Sequence, residues 1–354
     1  MKVTDYFSKK ATIVSFIMSI FVIYIHANNL SYYGIAANER TIPNIVVNLW
    51  GGVIGGIAVP FFFIMSAYWL FRFDIYGNNA MDVLIRKMKK KTKTICLPYL
   101  LWNAFGMIFY IAITHIPFAA NMMNNGEVIS LTLPNVFEGV FLHKYYFTFW
   151  YLKDLIVLIA ISPVLLVLLR NKCVALMSII VSAVAVLLKL DFVIFEGTSL
   201  LFFMIGGYGV TYTKEFFENK EISAWKWLLA FTLTGIIRYV NIYVNVPIIA
   251  ELSYFISPIL LWKSVDVFLP SDFYRRKIRW FITQSFFVYA SHVIPVTIIG
   301  HLLAKVSSNY LWVTVSYLIS PWITLTLIYV VANILYKYTP RFYGLICGGR
   351  IKNE

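Results

Sequence analysis

The chain contains long apolar runs separated by short polar segments. The runs cover about residues 11–27, 45–71, 95–114, 147–169, 173–190, 198–213, 225–244, 248–268, 280–302 and 311–336. Each is close to the roughly 20 helical residues needed to cross a hydrocarbon core ~30 Å thick. The chain is 60% hydrophobic and 13% charged, with mean hydropathy +0.76. A soluble fold of that composition lacks the polar surface to cover itself. In lipid each spanning segment must satisfy its own backbone polar groups, which makes runs of this length helices. The sequence therefore predicts an all-α, polytopic transmembrane bundle of about ten helices, with residues 1–354 as one domain. The first run follows Lys9 and Lys10, is long for a signal-peptide core and has no small-residue cleavage site after it, so it reads as a retained helix. The second contains Gly51, Gly52, Gly55, Gly56 and Pro60. It is expected to be broken or tilted and to let a neighbour pack closely.

The net charge of +14 is placed asymmetrically. With the N-terminus inside, 24 Lys and Arg fall in segments on the cytoplasmic side and five on the other, with Arg238 inside a run. Such an asymmetry orients membrane proteins, and it predicts an even number of spans with both termini cytoplasmic. Charges confined to loops between apolar runs argue against nucleic-acid binding. Cys96, Cys173 and Cys347 are far apart and have no metal-ligand spacing. There is no phosphate-binding glycine loop, metal-binding helix, nucleophile elbow or internal repeat.

Ionisable residues inside spans are costly and mark sites or fixed contacts. His26 ends the first run, Lys153 and Asp154 open the fourth, Arg238 lies in the seventh, Glu251 starts the eighth, and His292 is midway along the ninth. Counted from Lys10 at ~1.5 Å per residue, His26 is about 24 Å along its helix, in the outer half. The alternating directions of the runs put Lys153, Asp154, Arg238 and Glu251 in the same band. Two readings stand side by side for this group: charge pairs, Arg238 with Glu251 and Lys153 with Asp154, that only fix helix packing, and the polar wall of a site. Lys153 and Asp154 point about 100° apart on a helix, so each is expected to find partners on other helices. An imidazole such as that of His26 suits a general base, and it equally suits a satisfied interfacial polar residue. His292 shares a helical face with Tyr289 and Ser285, a polar stripe expected to face the interior.

A basic stretch, Arg86 to Lys93, precedes Pro98-Tyr99 and includes Lys90 and Lys91. It suits anionic lipid headgroups, and it also suits a phosphate-bearing donor from the cytoplasm, joined by Arg276 from another loop.

Several strings together resemble the integral-membrane acyltransferase family 3, whose members O-acetylate bacterial surface polysaccharides. They are Val22-Ile-Tyr-Ile-His26, Val59 to Tyr68 (VPFFFIMSAY), the basic run into Leu97-Pro-Tyr-Leu-Leu-Trp-Asn103, Phe149-Trp-Tyr-Leu-Lys-Asp-Leu155, and Ser285-Phe-Phe-Val-Tyr-Ala-Ser-His292. The resemblance implies a multi-pass protein of a bacterial plasma membrane, in contact with its lipids. It implies transfer of an acyl group, usually acetyl, from cytoplasmic acyl-CoA to a hydroxyl of a sugar or polysaccharide acceptor, without a metal. It marks His26 as the catalytic histidine and suggests roles for Ser66, Tyr68 and the basic entry around Arg86. With that chemistry, Ser66, Tyr68 and Tyr289 become candidate oxyanion donors. Lys153, Asp154, Arg238, Glu251, Tyr289 and His292 become candidate acceptor contacts, and Arg86, Lys90, Lys91, Lys93 and Arg276 candidate donor contacts. The chain departs from the family pattern at Ser15, where Arg or Lys is common, at Ala67, where glycine is common, and at Lys153, where arginine is common. The competing functional readings are a transporter or flippase for a lipid-linked saccharide and a non-enzymatic membrane assembly partner.

Overall fold

In the computed structural model, residues 5–36, 39–124, 127–190, 192 and 194–349 are described, and no strand occurs among them. The helices in chain order are α1 (Asp5–His26), α2 (Ile42–Val47), α3 (Ala58–Leu70), α4 (Ala80–Lys91), α5 (Leu97–Thr114) and α6 (Pro117–Asn124). Next come α7 (Leu133–Phe141), α8 (Trp150–Ala160), α9 (Ser162–Leu169), α10 (Lys172–Leu187), α11 (Gly197–Tyr212) and α12 (Lys214–Glu218). The last are α13 (Ala224–Val244), α14 (Pro247–Ser264), α15 (Ser285–Ser291), α16 (Val293–Ala304), α17 (Tyr310–Tyr338) and α18 (Pro340–Ile346). The protein is a helical, multi-pass membrane bundle. Among the described residues, six helical stretches are long and apolar enough to cross a membrane, or up to eight when α8–α9 and α15–α16 are each taken as one bent span. Two further predicted runs correspond to α10 and α11, 16 residues each, which are shorter than that length.

The bends follow from proline. Pro163 has no N–H for the Ile159 carbonyl, and α8 and α9 meet at 63°. The Ser162 hydroxyl donates to that freed carbonyl at 2.6 Å. The same arrangement recurs in α17, where Pro321 frees the Tyr317 carbonyl and Ser320 donates to it at 3.3 Å. α15 and α16 meet at 73°, and Pro295 leaves the Ser291 carbonyl without its usual amide. The glycine-rich second run is irregular but continuous: Asn48–Ile54 winds as a π-helix and Gly55–Ile57 as a 3-10 turn before α3, and Ile42–Leu70 stays one 29-residue helical stretch where a break or tilt was expected.

Close approach of helices rests on small residues. A methyl on Gly206 of α11 would collide with the backbone of Ile64 in α3, and one on Gly106 of α5 with the ring of Tyr146. One end of the bundle carries the basic segments. There Phe7 packs on Tyr68, Trp69 and Trp262, Arg170 donates to the Ile75 carbonyl, and Trp102 donates to the Ile346 carbonyl.

Candidate functional site

His26 occupies the last turn of α1. The chain beyond it is tied to α17, because Asn29 donates to the Val313 carbonyl at 3.2 Å and to Ser316 Oγ at 2.9 Å. His26 is half-buried. Its ring centroid lies 5.4 Å from that of Phe147 and 5.2 Å from that of His292.

His292 is fully buried at the break between α15 and α16. Its Nδ1 lies 2.6 Å from the Tyr289 carbonyl. A carbonyl only accepts, so Nδ1 carries the proton and Nε2 of the neutral ring is left as an acceptor. Nε2 has no hydrogen-bond partner among the described residues. A buried imidazole with one nitrogen fixed and the other unsatisfied, next to a second imidazole, is costly as packing alone.

The segment before α8 is bolted onto α15 by two tyrosines. Tyr289 donates to the Thr148 carbonyl at 2.6 Å and Tyr146 to the Ala290 carbonyl at 2.6 Å. Phe149 stacks on Tyr289 at 5.8 Å. Tyr151 meets Tyr289 edge-on at 5.7 Å, and its hydroxyl lies 3.3 Å from Ser66 Oγ, with either oxygen able to donate. His26, His292, Tyr289, Tyr151 and Ser66 thus form one connected series.

Tyr68 is not part of it. Its hydroxyl donates to Glu218 at 2.7 Å, and Glu218 also pairs with Arg72. Its ring packs on Phe7, which lies 19 residues before His26 on α1, about 28 Å along the helix. Ser66 and Tyr68 are two residues apart on α3 and belong to different parts of the molecule.

The charged residues predicted to share a band do not gather at the histidines. Lys153 lies 3.2 Å from Asp154, so the neighbours pair with each other, where sequence spacing argued for partners on other helices. Asp154 does reach another helix: it accepts from the Glu196 amide at 2.9 Å and from Ser199 Oγ at 2.8 Å, and so caps the start of α11. Its burial against that helix end explains why the flexible lysine comes to it. Arg238 donates to the Val53 carbonyl at 2.7 Å and the Gly52 carbonyl at 3.3 Å and lies over the Tyr254 ring at 5.0 Å. It holds the π-helical segment, whose irregular backbone offers it carbonyls. Glu251 is exposed and forms no ion pair with Arg238.

Arg86 and Lys90 on α4 and Lys93 on the π-helical stretch that joins it without a break to α5 are exposed, with Lys91 half-buried among them. Arg276 is exposed and pairs with Asp272 at 3.1 Å, a pairing that also holds the Asp272 carboxyl below its ordinary range. Lys87, not singled out in the sequence, donates to the carbonyls of Trp69, Leu70 and Arg72 and closes the end of α3. Two further features escape sequence reading. The Tyr151 hydroxyl carries no charge to flag it. The buried pair of Lys10 and Asp266, at 2.6 Å, joins residues 256 apart in sequence. No group of His, Cys, Asp and Glu able to hold a metal ion occurs among the described residues.

Comparison with known proteins gives one match. The profile of a family described as an acyltransferase domain matches residues 16–337. No curated protein and no solved structure matches the chain. The match spans nearly all of the apolar runs together with His26, Ser66, Tyr151 and His292, and the chain belongs to this acyltransferase family of multi-pass membrane proteins.

Proposed function

We propose that the protein moves an acetyl group from cytoplasmic acyl-CoA to a hydroxyl of a surface or lipid-linked polysaccharide, with His26 as general base and both termini of the chain in the cytoplasm. The observation that carries this reading is the pairing of His26 with His292. With Nδ1 of His292 committed to a carbonyl, its unpaired Nε2 is left as an acceptor beside the His26 ring, and in this reading His26 turns one N–H toward it. That exchange leaves the other His26 nitrogen with a free lone pair, which is what a base needs. His292 is then a positioning residue, acting through His26.

In the reaction, the acceptor hydroxyl gives its proton to His26 as its oxygen attacks the thioester carbonyl. The carbon–sulfur bond breaks and the proton passes from His26 to the departing thiolate. Developing charge on the carbonyl oxygen is met by a hydroxyl of Tyr151 or Ser66, which lie 3.3 Å apart with either oxygen able to donate. Tyr289 is already committed to Thr148, and it serves by placing its neighbours. Exposed Arg86, Lys90 and Lys93 suit the donor's phosphates at the basic end. In this reading the thioester must come within reach of His26, which lies about 24 Å along α1 from Lys10.

The test is replacement of His26 by Ala, with O-acetylation of surface glycans read by mass spectrometry in a deletion strain carrying the variant at normal protein level. Loss of modification supports the assignment, and full modification ends it.

A further inference from the structure

The apolar runs leave residues 115–146 as a connection outside the bilayer, between the runs at 95–114 and 147–169. The contacts of its second half, 127–146, place that half within the bundle. The Ile129 amide donates to Thr114 Oγ1, at the last residue of α5, at 3.2 Å. Gly139 of α7 packs on Met107 of α5, where an added methyl would come within 2.9 Å of the side chain. The Phe141 carbonyl accepts from the Tyr99 hydroxyl at 2.8 Å. Thr114, Met107 and Tyr99 descend α5 over about 22 Å, and Tyr99 stands only about 9 Å beyond Lys93 of the basic stretch. α7 therefore runs down α5 from the end away from the basic segments. The chain turns at His143, whose backbone is left-handed with φ 51°. Tyr146 then ties the turn to the Ala290 carbonyl, midway along the α15–α16 span. The segment is re-entrant.

Its exposed side chains divide by edge. Leu133, Phe137 and Phe141, at i, i+4 and i+8 of α7, present one apolar edge that suits lipid tails. Asn135 and Glu138 lie on another edge. Lys144 folds back from the turn to donate to Asn135 Oδ1 at 3.1 Å and to pair with Glu138. The lysine and glutamate side chains keep 46% and 41% of their surface exposed. Charges at this depth do not face hydrocarbon, and non-helical backbone such as 142–146 is tolerated there only inside protein or on a water-filled cavity. Three residues beyond Lys144, Phe147 is 52% exposed and borders half-buried His26, with ring centroids 5.4 Å apart. The polar edge begins at the end of α7 nearer Thr114 and gives out at the turn, so water reaches it from the face away from the basic end.

We infer that this polar edge is one wall of a water-filled vestibule, open on the face away from the basic segments, by which a carbohydrate acceptor reaches His26. Asn135, Glu138 and Lys144 supply the donors and acceptors that a polyol's hydroxyls need. The acceptor's route rests on the acyl-transfer reading, whereas the vestibule does not. The test uses the full-length protein with Cys96, Cys173 and Cys347 replaced by Ser, in membrane vesicles of either orientation. It carries Lys144→Cys, Phe137→Cys or Lys93→Cys. A sulfonated, membrane-impermeant maleimide is expected to label Lys144→Cys from one side only, opposite to the side from which it labels Lys93→Cys. Phe137→Cys, on the lipid edge, is expected to stay unlabelled from both. Asn135→Cys leaves the Glu138–Lys144 pair intact and is a second reporter with the same expectation as Lys144→Cys. Unfolding midpoints in detergent check that the variants are folded. Oligosaccharides released from the surface glycan of a deletion strain are expected to slow labelling of Lys144→Cys, about twofold at half-saturation. Labelling of Lys144→Cys and Asn135→Cys from neither side, or from the side of Lys93→Cys, overturns the vestibule. Labelling that the oligosaccharides do not slow, where the wild type acetylates them, overturns the acceptor's route. Lys144→Cys labelled as expected while the wild type transfers no acetyl group overturns the acyl-transfer reading, and the acceptor's route with it, and leaves the vestibule standing.

Discussion

The two histidines are held by different means. His292 is fixed by its contact with the Tyr289 carbonyl and by complete burial, whereas His26 stands half-buried at a helix end with its ring meeting Phe147 edge-on. If His292 positions His26, its removal acts on turnover and leaves binding alone. His292→Ala is expected to lower kcat about 10–100-fold with little change in KM, the size of effect seen when the partner that orients a histidine is lost. His292→Gln keeps an acceptor near the Nε2 position and is expected to recover part of the loss. Equal stability of the two variants with equal activity would assign His292 to packing. Both histidines were visible in the sequence because an ionisable residue inside an apolar run stands out. What was not visible is their partnership: residues 266 apart in sequence meet only because Pro295 bends the α15–α16 span at His292. Tyr151 remained hidden for a related reason, since a tyrosine among 24 carries no signal of its own.

At the level of elements, the glycines and the in-run arginine turn out to be one device. An irregular second run was legible from its glycines, yet the residue that holds its π-helical segment lies in α13, and the sequence offered Glu251 as that residue's partner instead. Arg238 donates to the carbonyls of Gly52 and Val53, groups that a regular helix would have satisfied internally. Arg238→Met keeps the bulk and removes the donors. Leaving those carbonyls unpaired is expected to cost about 1–3 kcal/mol, read as a lower unfolding midpoint in detergent. Lys at this position supplies one compact charge for two carbonyls and is expected to recover only part of the loss. The contact of α11 with α3 is the complementary case. Gly206→Ala drives a methyl into the Ile64 backbone, which has no side-chain freedom to yield. Overpacking of this kind costs about 1–3 kcal/mol, whereas Gly52→Ala, with open space around it, is expected to leave the midpoint near that of the wild type. A Gly206→Ala protein as stable as wild type would show that the two helices can separate freely.

The molecule as a whole is closed at its basic end by buried charge. Lys10 from α1 pairs with Asp266 just beyond α14, and Lys10 Nζ also lies 4.2 Å from the Trp262 ring centre. Asp266 further accepts from the Tyr6 hydroxyl and the Glu221 amide, and Glu221 in turn pairs with Lys263 at 3.3 Å. The N-terminal helix, the loop before α13 and the end of α14 are thereby joined through one carboxylate. From sequence, Lys10 counted as one more cation of a basic flank, because charge asymmetry locates loops and says nothing about which loops meet. Breaking a buried pair by removing one partner is strongly destabilising, about 3–5 kcal/mol, because it strands the other charge. Lys10→Met and Asp266→Leu are each expected to lower the unfolding midpoint sharply. The double variant strands no charge and is expected to recover much of the loss, remaining below wild type because Tyr6 and the Glu221 amide have lost their acceptor. A double variant no more stable than the singles would mean that the hydrogen bonds to Asp266, and not the ion pair, hold this end together. The neighbouring Glu221 offers an independent check through pH. Burial raises its pKa, but the Ser223 amide and Lys263 outweigh that and hold it below the ordinary carboxylate range. A depressed carboxylate stabilises the fold above its unfolded pKa and ceases to do so as pH falls through the folded value. The stability difference between wild type and Glu221→Gln is therefore expected to be constant near neutrality. It should shrink from about pH 5 downward, where the unfolded carboxylate begins to protonate.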